Sequence, residues 1–193
     1  MDRICVNCGS SPGFAPCYMA MAQRLGQALV DRGISLVYGG ADVGLMGRLA
    51  DTVLDARGVV IGVIPKSFAH KVAHPRLTKL HVVDSMHERK TLMFDLADGF
   101  IALPGGFGTL EEIAEVLTWA QLGLHKKPCG LINVDGYFDP LLSFLDNAVA
   151  KGFLRREHRE MLLTTTEPDD LLDQFMSYRA PELDKWVGGI PSP

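Results

Sequence analysis

Apolar runs and amphipathic stretches alternate from one end of the chain to the other. Continuous apolar runs at 4–7, 34–38, 59–64, 80–83, 100–103, 130–133 and 162–164 have the length and composition of buried strands. Between them, apolar residues recur at helical spacing over 16–32, 44–57, 86–97, 109–122, 140–151 and 169–178. Met19, Ala22, Leu25 and Leu29 share one face of the first helix, and Ile113, Val116, Leu117 and Ala120 face inward from the fourth. Gly33 and Gly58 are placed to stop the first two helices. The stretch 66–79 is polar, irregular and rich in His, and is expected to be a loop or lid.

Strands separated by single helices make β-α-β units, hence a parallel sheet covered on both faces. The fold class expected is α/β, a Rossmann-like doubly wound parallel sheet with helices on both faces. One domain is expected over 1–180, followed by a C-terminal tail at 181–193 that is disordered at 188–193. Ligands of such sheets bind beyond the carboxyl ends of the strands.

Three strand-to-helix turns carry small residues at that edge: Gly9-Ser10-Ser11, then Gly39-Gly40-Ala41-Asp42-Val43-Gly44-Leu45-Met46-Gly47, then Gly105-Gly106-Phe107-Gly108-Thr109. Glycine lets backbone approach an anion closely, and the helix that follows presents free N–H groups and a positive dipole end. Ser10, Gly40, Gly44, Gly47, Gly105, Gly106, Gly108 and Thr109 are therefore candidate phosphate contacts. No standard nucleotide loop is present: Leu45-Met46 follow Gly44 where a phosphate loop needs Lys-Ser, and the first turn lacks Gly-x-Gly-x-x-Gly. Glu111 and Glu112 are expected in the first turn of their helix, where carboxylates complement the dipole. Neighbouring helical residues point about 100° apart, so the two need not share a role. Glu88-Arg89-Lys90 begins the preceding helix, and cations there ask for a compensating phosphate or carboxylate.

Charge narrows the ligand. The net charge is -4 and no Lys/Arg run exceeds two residues, which disfavours nucleic acid and favours a small anion. No apolar run nears the ~20 residues of a membrane span and the N-terminus lacks a signal-like stretch, so a cytoplasmic protein is expected. Cys5 and Cys8 form a C-x-x-C, but no second ligand pair accompanies them, and with Cys17 and Cys129 they are expected to be ordinary thiols and not a metal site.

Met86-His87-Glu88-Arg89-Lys90 and Pro104-Gly105-Gly106-Phe107-Gly108-Thr109-Leu110-Glu111-Glu112 together resemble the signature of the "Lonely guy" family. The likeness extends through Leu36–Gly40, Gly44–Gly47, Thr118–Gly123 and Val134–Tyr137, and covers about 3–178. It implies hydrolysis of the N-glycosidic bond of N6-modified adenosine 5'-monophosphates, yielding free base and ribose 5-phosphate. It implies Arg89 and Glu112 as the catalytic pair, and Lys90, Gly106, Gly108, Thr109, Glu111 and Thr118 as substrate contacts. It also implies a homodimer with the site near its interface, and no metal or organic cofactor. The chemistry agrees: breaking this bond builds positive charge on the ribose, which a carboxylate stabilises.

One departure concerns the base. Family members often carry an acidic residue in the loop before the Arg-Lys helix, but here Ser67-Phe68-Ala69-His70-Lys71-Val72-Ala73-His74 holds none, and its histidines are expected to be exposed and idle. Two other readings compete. The family has also been labelled lysine decarboxylase, which requires pyridoxal phosphate on a lysine, and Lys90 has no evident pyridinium partner. Related Rossmann-like proteins carry nucleotides or molybdenum cofactor without hydrolysis, and a pure carrier does not require the Arg89/Glu112 pair.

Overall fold

A computed structural model describes residues 1–181. The tail expected at 188–193 lies outside the described residues. Seven strands form one parallel sheet in the order β4-β3-β2-β1-β5-β6-β7. They are β1 Arg3–Asn7, β2 Ser35–Tyr38, β3 Val60–Pro65, β4 Lys79–Val83, β5 Gly99–Ala102, β6 Cys129–Ile132 and β7 Leu162–Thr165. Between and after them run α1 Pro16–Asp31, α2 Gly44–Asp55, α3 Lys66–Val72, α4 Met86–Leu96, α5 Phe107–Gln121, α6 Asp139–Ala150, α7 Arg156–Arg159 and α8 Pro168–Ser177.

Alternation along β1 feeds two cores. Ile4 and Val6 pack under α1, α2 and α8 with Leu25, Leu49 and Phe175, whereas Cys5 faces α4 and α5 with Met93, Ile113 and Val116. Burial on both faces explains why the central strands read as unbroken apolar runs. The chain winds outward from β1 to β4, then crosses back to β5, so the strand order reverses between β1 and β5. Such a switch point opens a crevice at the strand ends.

Three local expectations are corrected. The 66–79 stretch is not all loop: α3 occupies its first half, and none of its residues is buried, so no apolar stripe announced it. Arg57, not Gly58, takes the left-handed conformation after α2 (φ 62), placing the reversal one residue early. Helix α5 starts at Phe107, so Glu111 and Glu112 sit in its second turn and not its first. Phe107 is 93% exposed, which left the true start without a hydrophobic marker.

Candidate active site

The three glycine turns meet at the switch point. Gly9 N–H donates to the Pro104 carbonyl (2.9 Å), Leu103 N–H to Asn7 (3.0 Å), and Leu45 N–H to Gly9 (3.0 Å). Gly44 is required for this junction: its φ is +55, and a Cβ there would lie 2.5 Å from the Ser11 nitrogen. Over the junction opens a cleft of ≈ 470 Å³, large enough for a nucleotide.

Helix α5 enters the cleft with an uncovered N-terminus. Gly106 is its N-cap and supplies no side-chain hydrogen bond, so the first N–H groups stay available to an anion. Helix α4 ends differently. Ser85 accepts from Glu88 N–H (3.1 Å) and Glu88 accepts from Asp84 N–H (2.9 Å), one residue before the N-cap, a reciprocal pair that absorbs Glu88.

Three ion pairs join α4 to α5. Arg89 Nη1 donates to Glu112 Oε1 at 2.5 Å, while Arg89 Nε donates to the Val63 carbonyl at 3.2 Å. Both side chains are largely shielded, at 10% and 15% exposure, and both line the cleft. Lys90 pairs instead with Glu111 and Glu115. The cations at the start of α4 are thus answered by carboxylates of α5.

The expected site residues separate accordingly. Ser10, Arg89, Gly106, Gly108, Thr109 and Glu112 line the cleft together. Lys90 and Glu111 do not: the 100° step along α5 sends Glu111 to Lys90 and away from Glu112. Gly40 serves its turn, at φ +77 with its carbonyl accepting from His74 N–H, and Gly47 lets Asp42 approach α2. Gly105 faces a neighbouring cavity, and Thr118 lies three turns along α5 in a groove against α6, its hydroxyl donating to the Ala114 carbonyl. Missed by sequence reasoning were Asn7, the lone polar residue ending an apolar run, and the apolar wall made by Ile64, Phe68, Val72 and Met86. Asn7 at a strand end beside the switch point was a usable signal, whereas the wall depends on the unannounced α3.

His74 corrects the expectation of an idle loop histidine. It is buried, its Nδ1 accepts from Arg76 N–H (3.2 Å), and its Nε2 lies 3.3 Å from Asp51 and 3.8 Å from Asp42. Since Nδ1 is an acceptor, Nε2 carries the proton and donates to Asp51. That arrangement, with Arg76 also paired to Asp51 and Asp55, makes a hydrogen-bonded latch. Together with Asp42 N–H on the Val72 carbonyl (2.7 Å), it ties the end of α3 to the second glycine turn. His74→Ala is expected to lower stability by about 2 kcal/mol, the worth of a buried hydrogen bond to a charged group. Urea denaturation measures it, and an unchanged midpoint would show the latch to be idle.

The cysteines behave as expected of buried thiols. All four are free, and Cys5, Cys8 and Cys129 are buried. Burial, then the Glu112 carboxylate, pushes the Cys5 and Cys8 thiols well above the ordinary range, so neither supplies a nucleophile. Among the described residues no helix is long and apolar enough to cross a membrane.

Residues 46–175 match a family model described as "Possible lysine decarboxylase". The cytokinin riboside 5'-monophosphate phosphoribohydrolase LOG of Oryza sativa subsp. japonica is 50% identical over 177 residues, 91% of this chain and 73% of that one. The cytokinin riboside 5'-monophosphate phosphoribohydrolase LOG7 of Arabidopsis thaliana is 48% identical over 184 residues, 95% of this chain and 84% of its own. Among solved structures, a molybdenum cofactor binding protein from Rippkaea orientalis superimposes with a TM-score of 0.70 at 26% identity, covering 91% of this chain and 96% of that one. The molybdenum cofactor carrier protein of Chlamydomonas reinhardtii gives 0.71 at 19% identity, over 92% and 99%, which shows the shared fold.

Proposed function

The chain belongs to the Lonely guy family, and from that premise we propose that it hydrolyses the N-glycosidic bond of N6-modified adenosine 5'-monophosphates. The products are the free base and ribose 5-phosphate. The observation that carries this reading is the shielded Arg89–Glu112 pair beside the uncapped start of α5.

The parts take their roles from their chemistry. The N–H groups of Gly106, Gly108 and Thr109 hold the 5'-phosphate, whose binding fixes the ribose over Glu112. As the bond to the base lengthens, positive charge grows on the ribose, and the Glu112 carboxylate stabilises it and orients the attacking water. Arg89 aims the Glu112 carboxylate through their hydrogen bond. Ile64, Phe68, Val72 and Met86 offer an apolar surface to an N6 substituent, with no carboxylate on α3 to bind a polar one.

Pyridoxal phosphate does not fit the cleft. A Schiff base needs a lysine, and no lysine is among its described lining residues; Lys90 is held by Glu111 and Glu115. Decarboxylation of lysine is therefore not part of the proposal.

We further propose a cytoplasmic homodimer. The free cysteines suit a reducing compartment. Helix α6 buries no residue, its Phe144 is 65% exposed, and Leu117, Thr118 and Leu145 line the groove between α5 and α6, a surface suited to a second copy. Sedimentation velocity is expected to give twice the mass of one chain, and a monomer at micromolar concentration would remove this part.

The activity test is incubation with AMP, isopentenyladenosine monophosphate and their nucleosides, with free base quantified. Release is expected from the monophosphates alone, and faster from the prenylated one. No release from any nucleotide sinks the reading, and tight binding without release favours a carrier.

A further inference from the structure

Behind the phosphate-facing side of the Gly105-Gly106 turn lies a second cavity of ≈ 330 Å³, lined by Gly9, Ser11, Tyr18, Gly105 and Tyr137. Gly106 borders both this cavity and the main cleft, so the Gly105–Gly106 peptide is a wall between them. On the rear side the Tyr137 hydroxyl donates to the Gly105 carbonyl at 2.5 Å.

Tyr137 is held there by considerable local structure. It follows two residues in the left-handed region, Asp135 (φ 52) and Gly136 (φ 69), and such backbone persists in a non-glycine residue only when its surroundings impose it. Asn133 imposes it, donating to Asp139 (2.7 Å) and accepting from Phe138 N–H (2.8 Å). The ring stands edge-on to Tyr18 at 5.9 Å and to Phe138 at 5.1 Å.

A trans peptide points its C=O and N–H in opposite directions, and no cis bond occurs among the described residues. Fixing the Gly105 oxygen toward Tyr137 therefore turns the Gly106 N–H toward the main cleft. Without that anchor, a peptide between two glycines is free to flip and would aim its carbonyl at the phosphate, exchanging attraction for repulsion. We infer that Tyr137 is a positioning residue that orients the Gly106 N–H toward the substrate's phosphate from behind the turn. The inference rests on the nucleotide reading above.

Tyr137→Phe keeps the ring and removes the anchor. Ribose 5-phosphate and adenine serve as separate probes in calorimetry. The variant is expected to bind ribose 5-phosphate about five- to tenfold more weakly, the scale of one hydrogen bond, and adenine as the wild type does. KM for the nucleotide rises by a similar factor while kcat stays within about twofold. Equal ribose 5-phosphate affinity overturns the inference, as does equal weakening of both probes, which marks a general loss of structure. If the variant does not fold, the wild-type Gly106 amide resonance decides: a shift on adding ribose 5-phosphate supports the inference and its absence overturns it. No binding of ribose 5-phosphate by the wild type overturns the nucleotide reading itself, and the inference with it.

Discussion

Glu112→Gln is expected to lower turnover by about two orders of magnitude or more while leaving nucleotide affinity within a few-fold. The amide matches the carboxylate in size, so the cleft keeps its shape. What it loses is the negative charge, which matters most when the ribose becomes cationic. An interaction realised chiefly in the transition state shows in kcat and hardly in KM. The same change leaves Arg89, only 10% exposed, without its ionic partner, so some loss of stability accompanies it. Glu112→Asp separates the two effects, since it keeps the charge but withdraws it by one methylene. Activity in the Asp variant above that in the Gln variant supports a charge role. Near-normal turnover in Glu112→Gln would remove Glu112 from the mechanism.

Much of this arrangement was legible in the sequence because its causes are local. Strands buried on both faces must be continuously apolar, which is why Ile4–Val6 and Leu36–Tyr38 could be read at once. The glycine turns were legible because close backbone approach excludes a side chain, as Gly44 against Ser10 and Ser11 shows. The 100° step between Glu111 and Glu112 is a property of any helix, whereas only the fold shows that Lys90 takes one and Arg89 the other. Other features had no local cause. Helix α3 has no buried residue and hence no periodic pattern. His74 carries no local mark of its role because its partners, Asp42 and Asp51, stand on another β-α unit. Tyr137 reaches Gly105 across 32 residues, a contact that no spacing rule anticipates.

Gly39→Ala, at the wall of the cleft, is expected to cost on the order of 100-fold in kcat by displacing the catalytic pair. A methyl group at Gly39 would overlap the Arg89 Nη2 atom and come within 2.5 Å of the Met46 Cε. Met46 can yield, since its side chain is unbranched and flexible. Arg89 cannot yield freely, because its Nε is bonded to the Val63 carbonyl and its Nη1 to Glu112. The guanidinium must therefore shift and carry the Glu112 carboxylate with it, and a displacement of about 1 Å in a catalytic group suffices for a loss of this size. The double variant Gly39→Ala/Met46→Ala distinguishes the causes. If the Met46 contact is responsible, removing that side chain restores turnover; if Arg89 is displaced, the loss remains. Steady-state kinetics on both variants, beside a thermal melt to confirm folding, decides whether Gly39 is glycine in order to leave room for the catalytic pair.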